Sequence, residues 1–133
     1  MPARILIADD STVVRACLYR LLDAHRDWEV CGEAADGEEA VRRAEQLNPD
    51  LVIMDFVMPG MNGIDAARHI RENSPDTPIL LCTIALSKEL IALAHEAGIA
   101  GAIPKADLSR IVPCVERLLL GEMLDPPAQS HFE

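Results

Sequence analysis

Short, unbroken apolar runs alternate along the chain with longer stretches whose apolar residues recur every three or four positions. Leu51-Val52-Ile53-Met54 has no polar break, stops at Asp55, and is followed by the turn pairs Pro59-Gly60 and Asn62-Gly63. A wholly apolar run bounded by turn residues predicts a strand buried on both faces. Ile5-Leu6-Ile7-Ala8 is a second such run and ends at Asp9 and Asp10. Ile79-Leu80-Leu81-Cys82-Thr83 is a third, ending in a hydroxyl, and Ala100-Gly101-Ala102-Ile103 a fourth, ending at Pro104 and Lys105. Trp28 to Glu33 alternates instead, which predicts a half-exposed edge strand.

The stretches between them read as helices. Ser11 caps one over Thr12 to Ala24, with an apolar stripe of Val13, Val14, Cys17, Leu18, Leu21 and Leu22, and Arg15, Arg20 and Asp23 on the other side. Asp36 caps a second, Glu39 to Leu47, packed through Ala40, Val41, Ala44 and Leu47 and stopped by Asn48-Pro49. A third runs from Gly63 to Glu72 with Ala66, Ala67 and Ile70 inward, and a fourth from Lys88 to Ala97, between Ser87 and Gly98. The last starts at Asp107 or Ser109, carries Ile111, Val112, Val115, Leu118 and Leu119, holds Pro113 early, and ends at Gly121. Strand and helix thus alternate five times. Such alternation predicts a (βα)5, flavodoxin-like three-layer sandwich with a parallel sheet of order 2-1-3-4-5.

Composition narrows this picture. With 133 residues, half of them hydrophobic, the chain is one globular domain, and with one Trp, one Tyr and two Phe its core is aliphatic. The 22 acidic and 12 basic residues give a net charge of −10, which argues against a grip on nucleic acid or an anionic membrane. Cys17, Cys31, Cys82 and Cys114 lie in apolar segments without a C-x-x-C pair and are expected to be small buried hydrophobes in a reducing compartment. No signal-like or membrane-spanning run is present, so a cytoplasmic location is expected. His25, His69, His95 and His131 fall on predicted helix surfaces, near helix ends or in the tail.

The predicted strand order brings the strand ends together. Strands one, three, four and five are consecutive neighbours about 4.8 Å apart. Asp9, Asp10, Asp55, Thr83 and Lys105 then converge on one pocket. Three close carboxylates repel unless a cation joins them, and all-oxygen ligands select a hard ion, Mg²⁺ or Mn²⁺. The loop after Asp55 offers a backbone carbonyl, that of Val57. Lys105 supplies positive charge and Thr83 a hydroxyl to phosphoryl oxygens, which leaves Asp55 as the nucleophile for an aspartyl phosphate. Asp55 and Lys105 are the catalytic pair in this reading. Taken singly, each residue has an ordinary explanation as a helix cap, turn or solvated charge; together, at the ends of the right strands, they do not.

From Ala3 to Leu120 the chain resembles the receiver domains of two-component response regulators, of the LuxR/NarL kind. The resemblance rests on Asp9-Asp10-Ser11, the block Asp55-Phe56-Val57-Met58-Pro59-Gly60-Met61-Asn62-Gly63, Thr83 and Lys105. It implies a phosphorylation-activated switch, in which Asp55 takes a phosphoryl group from a sensor histidine kinase or a histidine phosphotransfer protein. It implies that Asp10, Asp55 and the Val57 carbonyl ligate Mg²⁺ directly while Asp9 acts through water, and that Thr83 and Lys105 contact the phosphoryl group. A homodimer through the fourth helix, fifth strand and fifth helix is a further expectation, without direct nucleic-acid binding by this domain.

Three departures stand out. Ala102 occupies the place, three residues before the lysine, where receivers usually carry a switching Tyr or Phe. Ile84 follows the threonine where many have a small residue. Residues 121–126 resemble the exit toward a LuxR-type DNA-binding domain, and residues 121–133 are expected to be a tail or linker remnant. Two other readings compete: an enzyme of the aspartyl-phosphate phosphatase type, which would want a second acid where Val57 stands, and a receiver-like adaptor that no longer switches, for which Ala102 is the motive.

Overall fold

The computed structural model describes residues 1–122. The chain runs β1 (Ala3–Ala8), α1 (Thr12–Asp23), β2 (Trp28–Ala34), α2 (Gly37–Leu47), β3 (Leu51–Met54), α3 (Gly63–Asn73), β4 (Ile79–Thr83), α4 (Lys88–Glu96), β5 (Gly101–Pro104), a 3₁₀ segment (Lys105–Arg110) and α5 (Ile111–Leu119). The five strands form one sheet of order β2-β1-β3-β4-β5, every neighbouring pair parallel. This is the predicted flavodoxin-like arrangement. The tail from Met123 onward, with His131, lies outside the described residues.

The two-residue period of a strand divides the core. Ile5, Ile7, Leu51, Ile53, Leu80, Cys82 and Ile103 face α1 and α5. Leu6, Ala8, Val52, Met54, Ile79 and Leu81 face α2, α3 and α4. A sheet covered on both sides needs continuous apolar strands, which is why three of the five runs carry no polar interruption.

Helix starts follow the sequence closely, because a cap is a local device. Ser11, Asp36, Asn62 and Ser87 accept the N–H of Val14, Glu39, Asp65 and Leu90. Asn48 closes α2 in the left-handed region, and Gly98 and Gly121 have positive φ just after α4 and α5.

Three expectations need correction. On α1 only Leu18 and Leu22 are buried; Val13, Cys17 and Leu21 are exposed. Cys17 precedes Leu18 by one step of about 100° around the helix, enough to leave the sheet. Two fully buried leucines at about 2 kcal/mol each suffice to dock the helix. The expectation that every cysteine is buried therefore fails at Cys17, while Cys31 is half-buried and Cys82 and Cys114 are buried.

The last helix is the third case. Neither Asp107 nor Ser109 caps it: Asp107 adopts φ −128°, ψ 61°, which breaks the helical path, and the Ser109 hydroxyl donates to Asp107 at 2.6 Å. α5 starts after Arg110, so Pro113 falls in its first turn, where the missing N–H has no intrahelical partner to lose.

Thiol chemistry checks this burial order. Burial pushes the Cys82 thiol up to about 12. With iodoacetamide at pH 8, Cys17 is expected to be alkylated in the native protein while Cys82 is protected until the chain unfolds. Peptide mapping that found the two modified at similar rates would contradict the packing described.

Candidate functional site

A parallel sheet places all its C-terminal strand ends on one edge. Along that edge β1 is followed by Asp9 and Asp10, β3 by Asp55 and β5 by Lys105, and β4 ends in Thr83. Ala8 is the partner of Met54 and Thr83 that of Pro104, so the acids stand side by side, as do Thr83 and Lys105. The ladder continues one step into the site: Asp55 N–H donates to the Ala8 carbonyl (2.9 Å) and Asp9 N–H to that of Ala34 (3.0 Å). All five residues predicted from sequence are brought together here.

Asp9 and Asp55 are 2% and 3% exposed. Lys105 Nζ lies 2.7 Å from Asp9 Oδ2 and 2.8 Å from Asp55 Oδ2. Burial works against the Lys105 ammonium, but the hydrogen bonds and attraction of Asp55 and Asp9 outweigh it and hold its pKa above the usual lysine value. Asp9 Oδ1 accepts the Ser11 N–H at 2.8 Å. Asp10 is exposed, and carboxylate oxygens of Asp9, Asp10 and Asp55 lie within 4.8 Å of one another.

The oxygens are not equally engaged. Both of Asp9 are taken, one by Lys105 and one by Ser11. Asp55 Oδ1 is buried and, among the described residues, has no hydrogen-bond partner. A buried carboxylate oxygen without a partner is costly, by about 1–3 kcal/mol or more. Three carboxylates against one ammonium leave two negative charges uncompensated. A hard divalent cation held by oxygen ligands fits both the unpaired atom and the charge.

Thr83 is fully buried, and its Oγ1 accepts the Ala85 N–H at 3.2 Å. Ala102 is half-buried and packs on the α2–α3–α4 side of the sheet. Ile84 is 81% exposed and Val57 53%. They are apolar side chains on the loops that leave β4 and β3.

Two parts of the site escaped the sequence. One is Gly63. Its N–H donates to the Phe56 carbonyl at 2.9 Å, and a Cβ there would sit 2.0 Å from the Asp55 carbonyl oxygen. The loop can fold back behind Asp55 only because that atom is absent. The other is Arg15, expected on the solvent side of α1, whose Nη1 donates to the Asp9 carbonyl at 2.7 Å. Nothing in local spacing marks either role, since each depends on a contact between elements.

The family model of the response regulator receiver domain matches residues 5–116. The chain is 39% identical over 117 residues to the transcriptional regulatory protein PdtaR of Mycobacterium tuberculosis, an alignment covering 87% of this chain and 56% of that one. It thus spans about half of that regulator's length. It is 36% identical over 119 residues to the chemotaxis protein CheY of Thermotoga maritima, covering 89% and 98%. A crystal structure of a two-component response regulator of the LuxR family from Aurantimonas sp. SI85-9A1 superposes with a TM-score of 0.91 at 35% identity, over 98% and 94% of the chains. No described helix is long and apolar enough to cross a membrane.

Two substitutions test this geometry by chemical unfolding. Gly63→Ala is expected to cost about 3 kcal/mol, because the new methyl meets backbone and not a movable side chain. Gly60→Ala, at φ 71° in open space, should cost only about 1 kcal/mol. Equal costs would mean that the loop is not wedged against Asp55. Asp10→Asn removes one of three crowded negative charges and should stabilise the protein by about 1 kcal/mol in chelator. Millimolar Mg²⁺ should erase or reverse that gain; an unchanged gain would show that the acids do not share an ion.

Proposed function

The chain belongs to the response regulator receiver domain family, and from that premise we propose that residues 3–120 act as a phosphorylation-controlled switch with Asp55 as phosphoacceptor. One observation supports this above the others. Asp55 is buried with one oxygen held by Lys105 and the other, among the described residues, unpaired and close to two more acids. That asymmetry suits a nucleophile, with one oxygen fixed in place and the carboxylate not locked on both sides.

In this reading Asp10 and Asp55 hold Mg²⁺ or Mn²⁺ directly, with the Val57 carbonyl, and Asp9, whose oxygens are already engaged, acts through water. The cation supplies neutralisation of charge at the phosphoryl oxygens. An Asp55 oxygen forms the new bond to phosphorus as the bond from phosphorus to the donor's leaving nitrogen or oxygen breaks, and the leaving group takes the electron pair. Lys105 exchanges its bond with Asp55 for one with a phosphoryl oxygen. Thr83, whose oxygen accepts from Ala85, would turn its hydroxyl away from that bond to donate to a second.

The phosphodonor would be a sensor histidine kinase or a histidine phosphotransfer protein, and the output a change of partner or of dimerisation through α4, β5 and α5. The chemistry is self-modification and not turnover of a substrate. The domain would act in the cytoplasm, without binding nucleic acid or membrane itself. The adaptor reading is kept alive by Ala102 alone.

Incubation with acetyl phosphate and Mg²⁺ is expected to add one phosphoryl group by intact mass, and Asp55→Asn or chelator to prevent it. Uptake by the Asp55→Asn protein would overturn the assignment. With a beryllofluoride adduct, amide shifts extending from Asp55 through Ala85 into α4 are expected; shifts confined to the three acids would favour the adaptor.

A further inference from the structure

Asp9 is held at each of its polar backbone and side-chain atoms. Its N–H donates to Ala34, Oδ1 accepts from Ser11, Oδ2 from Lys105, and its carbonyl accepts Arg15 Nη1 at 2.7 Å. The last bond differs in kind, because that carbonyl belongs to the peptide joining Asp9 to Asp10. A peptide unit is planar, so fixing its oxygen fixes the plane that carries the Asp10 nitrogen and Cα. Asp10 itself is exposed and makes no side-chain hydrogen bond among the described residues. Its aim into the site therefore depends on this plane.

Arg15 is held in turn. Its Nε lies 2.9 Å from Glu33 Oε1, with the Arg15 side chain 17% exposed and that of Glu33 42%. Glu33 is on β2, the edge strand next to β1. The guanidinium thus spans from the edge strand to the acidic turn, using its fixed fork of donors in two directions.

We propose that Arg15 is a positioning residue for the divalent-cation site, orienting Asp10 through the Asp9–Asp10 peptide. This rests on the cation-binding reading of Asp9, Asp10 and Asp55. Two effects oppose each other. A guanidinium beside an acidic cluster repels a dication, so its removal as a charge alone would tighten binding. Its removal as a support would weaken binding, and lost supports of metal ligands typically cost 10- to 100-fold in affinity. The sign of the change decides between them.

The test measures Mn²⁺ affinity of the full chain from the paramagnetic resonance of the free ion, with Mg²⁺ as competitor. Arg15→Ala is expected to weaken Mn²⁺ binding about tenfold. Arg15→Lys, which keeps the charge and one donor within reach of the carbonyl, should recover part of the loss, and it carries the test if the alanine protein does not fold. Glu33→Gln, which leaves the carbonyl bond in place, should change affinity by about twofold at most. Labelling by acetyl phosphate is expected to need a higher Mg²⁺ concentration for half-saturation in Arg15→Ala than in the wild type. Unchanged or tighter binding by Arg15→Ala would overturn the proposal. So would equal weakening in all three variants in step with lowered unfolding midpoints, because that is loss of general stability. If the wild-type protein itself fails to bind Mn²⁺, the cation-site reading falls first.

Discussion

One ammonium between two buried carboxylates governs this structure. Asp9 and Asp55 are taken almost wholly out of water at adjacent strand ends, where two like charges repel. Lys105 reaches from β5 to both at 2.7 and 2.8 Å, and its own pKa rises despite burial because the two acids outweigh the loss of water. A buried pair of this kind contributes little net stability. Its consequence is geometric: it ties side chains that follow β1, β3 and β5 together at one edge, while Asp55 Oδ1 has no hydrogen-bond partner among the described residues. The incompletely neutralised charge is what would draw a cation to the proposed site.

The fold creates that situation through its parallel sheet. Four strands end on the same edge in consecutive order, and period-two packing on both faces consumes every side chain before the end. Apart from Thr83 on the last rung of β4, the buried polar side chains of the site stand just past the ladder, where Asp9 and Asp55 follow β1 and β3, and Lys105 follows β5. The loops are then drawn in tightly. Gly63 lies against the Asp55 carbonyl, and Gly37 admits the Met61 carbonyl where a Cβ would be 2.3 Å away. These contacts make the position of Asp55 a property of the packed backbone around it.

What could be read from sequence followed the range of the interaction. Apolar runs, caps such as Ser11 and Ser87, and turn glycines are local, and they predicted strand order and helix starts. The five site residues were legible because topology carries strand ends to one edge whatever else happens. The α1 stripe was read too widely, since periodicity cannot say how much of a helix a sheet will cover; Val13 and Cys17 turned out to be beyond its reach. The start of α5 was misjudged because Asp107 and Ser109 bond to each other, a choice that spacing does not reveal. Arg15 reads as a surface charge until the carbonyl it reaches is known.

Ala102 bears on how a signal would leave the proposed site. With no ring to swing, the nearest element that can exist in two arrangements is the hydrogen bond from Ala85 N–H to Thr83 Oγ1. In the switch, the threonine hydroxyl would turn to a phosphoryl oxygen, exchanging a neutral hydrogen bond of about 1 kcal/mol for a charge-assisted one of about 2 kcal/mol. The difference biases the loop by a factor of about five to ten, a modest shift that an aromatic partner would otherwise reinforce. Ile84, already 81% exposed, lies between the two bonded residues, so its side chain would move with the bond, and the loop would carry the movement to the Ser87-capped start of α4. If Asp55 takes a phosphoryl group as proposed, the short loop from Thr83 to Ser87 would be the first to report it, with a small energy gap and an apolar residue at its tip.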